Sequence, residues 1–391
     1  CCVLDTLGIP FEKRGTSVVA LVEGAKPGKV VGIRADMDAL PVNEPAERPY
    51  ASCHKGYMHA CGHDAHMTVA LGAAKYFSER RAELAGSVKI LFQPAEETTG
   101  GAANMIAGGC LENPRVDYVI GLHVMPDIPV GKVELKHGAL NGASDWLGVT
   151  VRGKGAHAAY PSAGIDAIMI AAKVVDALHT VVSRNVSPLQ EAVLTLGTIQ
   201  GGARNNIIAD EVSMTGTIRT TDPQVRAVVR FESNYTEMAQ GRPLAMWVEE
   251  RWSLGRSKQA KSRSPEKART VEVAERVRAI VSGSPAALGG SGEAQIVAGY
   301  SALINHDWVV DLIAEEAMNT LGKESIVWRE KPSLGVEDFG FFLQERPGAF
   351  YHLGCGNKAR GIVEPLHANG FDIDEDCLPL GVAMHVGIAA R

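Results

Sequence analysis

The chain has 391 residues, 46% of them hydrophobic and 21% charged, with a formal net charge of -6. These are the proportions of a globular chain long enough for two cores, and the acidic balance argues against a general nucleic-acid binder. No run of about eighteen apolar residues exists to span a membrane, and the seven cysteines are odd in number and scattered, which is not a disulfide framework and predicts a reducing cytoplasm.

The chain opens at Cys1, without Met and without a signal-peptide pattern, so it is expected to be a fragment whose beginning, a helix included, is missing. Residues 17–22 already read as a β-run. Beyond them β-runs at 30–34, 88–92 and 118–122 alternate with a helix predicted from 65 to about 84 and a glycine-rich helical segment, the pattern of a layered α/β domain. In such sheets reactive residues sit at the carboxyl ends of strands. Here the first run leads into Asp36-Met37-Asp38, the second into Gln93-Pro94-Ala95-Glu96-Glu97 and the third closes on His123.

Between the first two runs stands Met58-His59-Ala60-Cys61-Gly62-His63-Asp64-Ala65-His66. Cys61 and His63 flank a glycine, and a tight turn there aims a thiolate and an imidazole at one cation. A lone cysteine or histidine is usually a core or surface residue, but so many in one run favour a metal site. Two ligands close no coordination shell, so others must come from elsewhere. Glu96 and Glu97 could divide metal binding and proton handling between them; His123 and His367 are further candidates, each singly more often a satisfied histidine.

From 146 to 297 the rhythm becomes strand (147–151), helix (165–182), strand (192–199), strand (211–220), helix and strand (294–297). That β-α-β-β-α-β order reads as an inserted ferredoxin-like unit. Its second helix starts at Thr221-Asp222-Pro223 and its pattern returns at 271–281. Residues 227–269, with nine Lys or Arg against five Glu, read as a solvated insertion. After Tyr300 helix and strand resume, ending in a helix predicted over 374–390 with an acidic first turn.

The ordered motifs Arg34-Ala35-Asp36-Met37-Asp38-Ala39-Leu40-Pro41, Met58 to His66, Gln93 to Glu97, Gly121-Leu122-His123, Gly153-Lys154-Gly155-Ala156-His157, Gly335-Val336-Glu337-Asp338-Phe339 and the segment around His367 resemble the aminoacylase, hippurate hydrolase and auxin-conjugate hydrolase family of dinuclear metallopeptidase-like amidohydrolases. The resemblance covers nearly the whole chain apart from the 227–269 insertion. It implies a zinc-peptidase-like α/β catalytic domain (1–145 and 298–391) and an inserted ferredoxin-like lid and dimerisation domain (146–297). It further implies two divalent ions, zinc, manganese, cobalt or nickel, held by Cys61, His63, Glu97, His123 and His367. Glu96 would be the general base and acid, and Asp38 would orient a ligand. His157 would stabilise the oxyanion, and Asn206 and Arg219 would lie near the substrate, the arginine suiting a carboxylate.

The reaction implied is cleavage of the amide of an N-acyl amino acid, with a small-molecule substrate and a homodimer or higher homo-oligomer. Two positions depart from the family pattern: Asn206-Ile207-Ile208-Ala209 lacks the usual final proline, and Val336 stands where a serine is usual. The rival readings are a metallo-carboxypeptidase acting on short peptides, a metal-binding homologue with impaired catalysis, and a redox protein using Cys61.

Overall fold

The computed structural model describes residues 1–226 and 273–391. The basic insertion expected at 227–269 lies outside the described residues. The chain forms two compact units, one of Cys1–Asn141 with Leu303–Arg391 and one of Gly142–Ala302.

In chain order, the first unit begins with α1 (Cys2–Thr6), β1 (Phe11–Arg14), β2 (Ser17–Glu23), β3 (Lys26–Asp36), α2 (His63–Glu79), β4 (Ala85–Gln93), α3 (Ala102–Ala107), β5 (Tyr118–Pro129), β6 (Val133–Leu135) and β7 (Gly138–Asn141). The second unit contains β8 (Ala143–Arg152), β9 (Ala156–His157), α4 (Ala167–Thr180), β10 (Ala192–Gly201), β11 (Ile207–Ile208), β12 (Glu211–Thr220), α5 (Pro223–Arg226), α6 (Val273–Ala287) and β13 (Ser291–Ala298). The chain returns to the first unit with β14 (Leu303–Asn305), α7 (Asp307–Thr320), β15 (Ile326–Trp328), α8 (Gly340–Glu345), β16 (Gly348–Gly356) and α9 (Cys377–Ala389).

The main sheet of the first unit runs β1-β2-β4-β3-β5-β16-β6-β15, and its centre, β4-β3-β5-β16, is parallel. Central parallel strands are covered on both faces, which is why 31–36 and 88–93 are almost continuously buried. Helix α2 covers one face with Ala65, Val69, Ala70, Ala73, Ala74 and Phe77. It meets α9 closely: a Cβ at Gly72 would fall 2.5 Å from Val382 and one at Gly381 would fall 2.8 Å from Val69. Removing side chains there lets the two helices approach.

Several boundaries differ from the sequence expectation for physical reasons. Helix α2 starts at His63 because Gly62 takes a left-handed conformation, and it stops at Glu79, where Arg80 leaves helical geometry. His123 does not close its strand. The β5 ladder to β16 continues to Pro129, so the histidine projects from inside the strand. The last helix begins at Cys377, because the carboxylate of Asp374 accepts from Asn357 and Arg360 at 2.6 Å each and anchors the chain ahead of the helix.

In the second unit the sheet order β10-β12-β8-β13 is wholly antiparallel. Taken in sequence, strands one to four stand in the order 2-3-1-4, the ferredoxin-like arrangement. Its core joins Leu147, Val149 and Val151 of β8 to Ile170, Val174 and Leu178 of α4 and Val277 and Val281 of α6. Asp166 caps α4 by accepting from the amides of Ile168 and Met169.

Candidate metal centre

Gly62 has φ +79°, and a Cβ there would lie 2.3 Å from Cγ2 of Val124. Glycine alone meets both demands, and the turn it makes brings Cys61 and His63 to one cluster with His123. Sγ of Cys61 lies 3.3 Å from Nε2 of His123 and 3.3 Å from Nε2 of His367. Oε1 of Glu97 lies 3.1 Å from Nε2 of His367 and 4.0 Å from Nε2 of His63. The five residues expected as ligands therefore converge from four separate segments.

Their chemistry fits divalent ions. Among the described residues, Nε2 of His63 is buried without a hydrogen-bond partner, whereas buried polar atoms are almost always paired. His123 donates from Nδ1 to the carbonyl of Val124 at 2.7 Å, which leaves Nε2 as a lone pair on the side of Cys61. A thiolate, three imidazoles and a carboxylate form a donor set for a borderline-soft cation pair.

Asp38 stands behind these groups. Its two oxygens accept the backbone N–H groups of Glu96 at 3.1 Å and Glu97 at 2.9 Å, and Oδ1 lies 3.3 Å from Nδ1 of His63. Two positions at the site are strained: Ala95, just before Glu96 in the loop Asp38 holds, has φ +62°, and His367, in a separate segment, has φ +67°. Such a conformation in a non-glycine residue costs about 1–3 kcal/mol and persists where the surroundings impose it, commonly at functional sites.

A charged network that sequence reasoning assigned no role lies beneath. Buried Arg34 donates from Nη1 to Asp36 at 2.6 Å, from Nη2 to Glu337 and Asp338 at 2.9 Å each, and from Nε to Gln93 at 3.0 Å. Asp36 in turn accepts from Nδ1 of His66 at 2.5 Å. Nε2 of His66 accepts the N–H of Val124 at 2.9 Å, which places the ring proton on Nδ1 and makes His66 a support, not a ligand. The sequence carried a partial signal, which gave the shared face of these residues but not their burial. Arg34, Asp36 and Asp38 sit at alternate positions after an apolar strand start, so they share a face, and a charged face leaving a buried strand requires partners.

Electrostatics follow from this burial. Burial alone would raise Asp36, but Arg34, His66 and His63 outweigh it and hold its carboxyl well below the usual range. Burial penalises the His63 imidazolium, yet Asp36 and Asp38 raise it to about 9. His123 is pushed far down by burial and by His66. Burial, then Glu97, drives the Cys61 thiol upward, and burial with Glu337 close by raises Glu96. A cation reverses the preference at its own ligands, because thiolate and neutral imidazole are the binding forms.

The other three expected residues lie in the second unit. Exposed His157, on β9, faces Ile207 of β11, and the amide of Ala158 donates to the carbonyl of Asn206 at 3.0 Å, so His157 and Asn206 are neighbours. Nδ1 of His157 accepts the amide of Ala159 at 3.1 Å. Arg219 stands on β12 in the four-stranded sheet, where it donates to Thr217 and to the carbonyl of Ile218.

Residues 32–391 match the profile of peptidase family M20/M25/M40. The chain is 33% identical over 392 residues to thermostable carboxypeptidase 1 of Saccharolobus solfataricus, covering 100% of this chain and 86% of that one. It is 36% identical over 345 residues to the N-acetyldiaminopimelate deacetylase of Priestia megaterium, covering 88% and 79%. Among solved structures it resembles a dinuclear metal binding peptidase of the M20 family from Bacillus subtilis, with TM-score 0.75, 28% identity and coverage of 100% and 89%.

Proposed function

Because the chain belongs to peptidase family M20/M25/M40 and is a metal-dependent hydrolase of that family, we propose that it cleaves the amide bond of N-acyl amino acids such as N-acetyl or N-benzoyl conjugates. The observation that carries this reading is the cluster of Cys61, His63, Glu97, His123 and His367 with the carboxylate of Glu96 beside it. These five residues would hold two divalent ions, zinc, manganese, cobalt or nickel. When bound, such ions polarise an amide carbonyl and lower the pKa of water.

Glu96, buried and raised, would take the proton of the attacking water and deliver it to the departing amine. Asp38, through the amides of Glu96 and Glu97, would keep both carboxylates aimed. In the second unit His157 would donate to the developing oxyanion, while Asn206 and Arg219 would receive the rest of the substrate. We assign 1–145 and 298–391 to catalysis and 146–297 to a lid that also forms a homodimer or higher homo-oligomer. We place the protein in the cytoplasm, and among the described residues no helix is long and apolar enough to cross a membrane.

The test is metal analysis coupled to turnover of an acyl-amino-acid panel by the wild type and by Glu96→Ala. A variant that keeps its metal and wild-type turnover removes Glu96 from this role. Likeness to a carboxypeptidase favours one second reading, hydrolysis of short peptides. Faster turnover of a dipeptide than of a hippurate-type conjugate would select it.

A further inference from the structure

The loop carrying Glu96 and Glu97, residues 94–101, is tied at both stems by one carboxylate. Gln93, the last residue of β4, donates from Nε2 to Oδ1 and Oδ2 of Asp338 at 2.8 Å each. The N–H of Ala102, the first residue of α3, donates to Oδ2 of the same side chain at 3.0 Å. Asp338 is buried and is itself held by Nη2 of Arg34, whose Nε fixes the orientation of the Gln93 amide by donating to its oxygen. Between the stems the loop is pinched by the N–H of Gly100 on the carbonyl of Ala95, and a Cβ at Gly101 would lie 1.9 Å from the carbonyl oxygen of Pro94.

We propose that Asp338 is a positioning residue for the hydrolytic centre: by clamping both stems it sets where Glu96 and Glu97 stand. Its carboxylate comes within 4.8 Å of that of Glu96, and its role is to hold the loop that carries Glu96. Closing a loop costs entropy, and a clamp that fixes both ends before substrate or metal arrives removes that cost from the functional step. Asp38 works on the two amides in the middle of the loop, so the two aspartates divide the task. The roles of Glu96 and Glu97 rest on the function proposed above, whereas the clamp is tested on metal affinity and amide exchange.

Asp338→Asn sets two N–H donors, the new amide and that of Gln93, against each other. It is expected to weaken zinc binding, measured by chelator competition, by about 10–100-fold. In the metal-free protein the amides of 94–102 should exchange about tenfold faster or more. Pairing it with Gln93→Glu exchanges the donor and acceptor: the carboxylate now at 93 accepts from Arg34 and from the amide now at 338, and the net charge is restored. The double variant should recover affinity to within about threefold of the wild type.

A purely space-filling or charge-balancing Asp338 predicts a lower melting temperature with unchanged affinity and exchange, and that result overturns the proposal. So does a double variant that binds zinc no better than Asp338→Asn. If Asp338→Asn does not fold, Gln93→Met releases one stem alone and should show a smaller affinity loss; wild-type affinity there also overturns it. A wild type that hydrolyses no acyl-amino acid, with the exchange and affinity results as expected, sinks the functional reading and leaves the clamp standing.

Discussion

Nδ1 of His66 lies 2.5 Å from Oδ1 of Asp36, and Nε2 of the same ring accepts the N–H of Val124. Both nitrogens are committed to the protein, whereas Nε2 of His63, one helical turn earlier, has no hydrogen-bond partner among the described residues, its Nδ1 lying 3.3 Å from Oδ1 of Asp38. His63→Ala is therefore expected to lose bound metal. His66→Ala is expected to keep its metal and to lose about 3 kcal/mol of stability, because a buried amide and a buried carboxylate lose their partner. Metal content after dialysis, with melting curves on both variants, separates the roles; metal loss in His66→Ala at unchanged stability contradicts the assignment.

The metal-free protein should become less stable as pH rises through neutrality. Asp36 and Asp38 overcome burial and raise His63 to about 9, against about 6.5 in an unfolded chain. A base raised on folding contributes stability that is fully present below its unfolded pKa and is lost as pH rises through the folded one. The loss between about pH 6.5 and 9 is about 3 kcal/mol. Glu337, raised mainly by burial, acts in the same direction, because the folded state keeps a proton the unfolded state has shed. Urea melts of chelator-treated protein across this range should show the decline, and constant stability contradicts it.

Metal affinity should move the opposite way. His63 and the Cys61 thiol, both raised, must give up protons to become ligands, so binding weakens as pH falls and each uptake releases protons. Calorimetry in buffers of different ionisation enthalpy measures the number released. Zero release, with equal affinity at pH 6 and pH 9, excludes Cys61 and His63 as ligands.

The sequence made much of this legible because metal ligands are few, chemically distinctive residue types. Cys61 and His63 stand out as one run, whereas Glu97, His123 and His367 are weak signals singly and joined the set only through the ordered motifs of the family resemblance; the alternation of apolar runs with polar ends marks the strands that carry several of them. The Arg34–Asp36–Asp338 network was not legible in the same way. Arginine, aspartate and glutamate are ordinary surface residues; alternation puts Arg34 and Asp36 on one face, but it is the register of β3 against β4, Arg34 beside Leu91 and Asp36 beside Gln93, and the packing of Asp338 on them that buries these groups. Helix ends were also missed: α2 stops at Glu79, where Arg80 leaves helical geometry, and the last helix begins at Cys377, where the contact of Asp374 with Asn357 anchors the chain ahead of it.

Glu96→Gln preserves shape while removing the proton acceptor. Metal content should be unchanged, because Glu97 is the carboxylate placed among Cys61 and His367, and kcat should fall by about 10²–10⁴-fold. Steady-state kinetics beside metal analysis check both halves. Metal loss in this variant would make Glu96 a ligand, and intact kcat would move the proton acceptor elsewhere, with buried Glu337 the next candidate.

His157 offers a test in the second unit that leaves the metal ligands untouched. Its Nδ1 accepts the N–H of Ala159, so in the neutral ring the proton sits on Nε2, which makes that nitrogen a donor. An exposed imidazole with its donor turned outward suits an oxyanion and contributes little to the fold. His157→Ala is expected to lower kcat by about 10²–10³-fold, with melting temperature and metal content as in the wild type. His157→Gln, which keeps a side-chain N–H, should recover part of the loss. If both variants turn over the substrate at the wild-type rate, the oxyanion donor lies elsewhere, and the exposed ring of His157 is a surface group paired with Tyr160, whose ring centroid is 5.6 Å away.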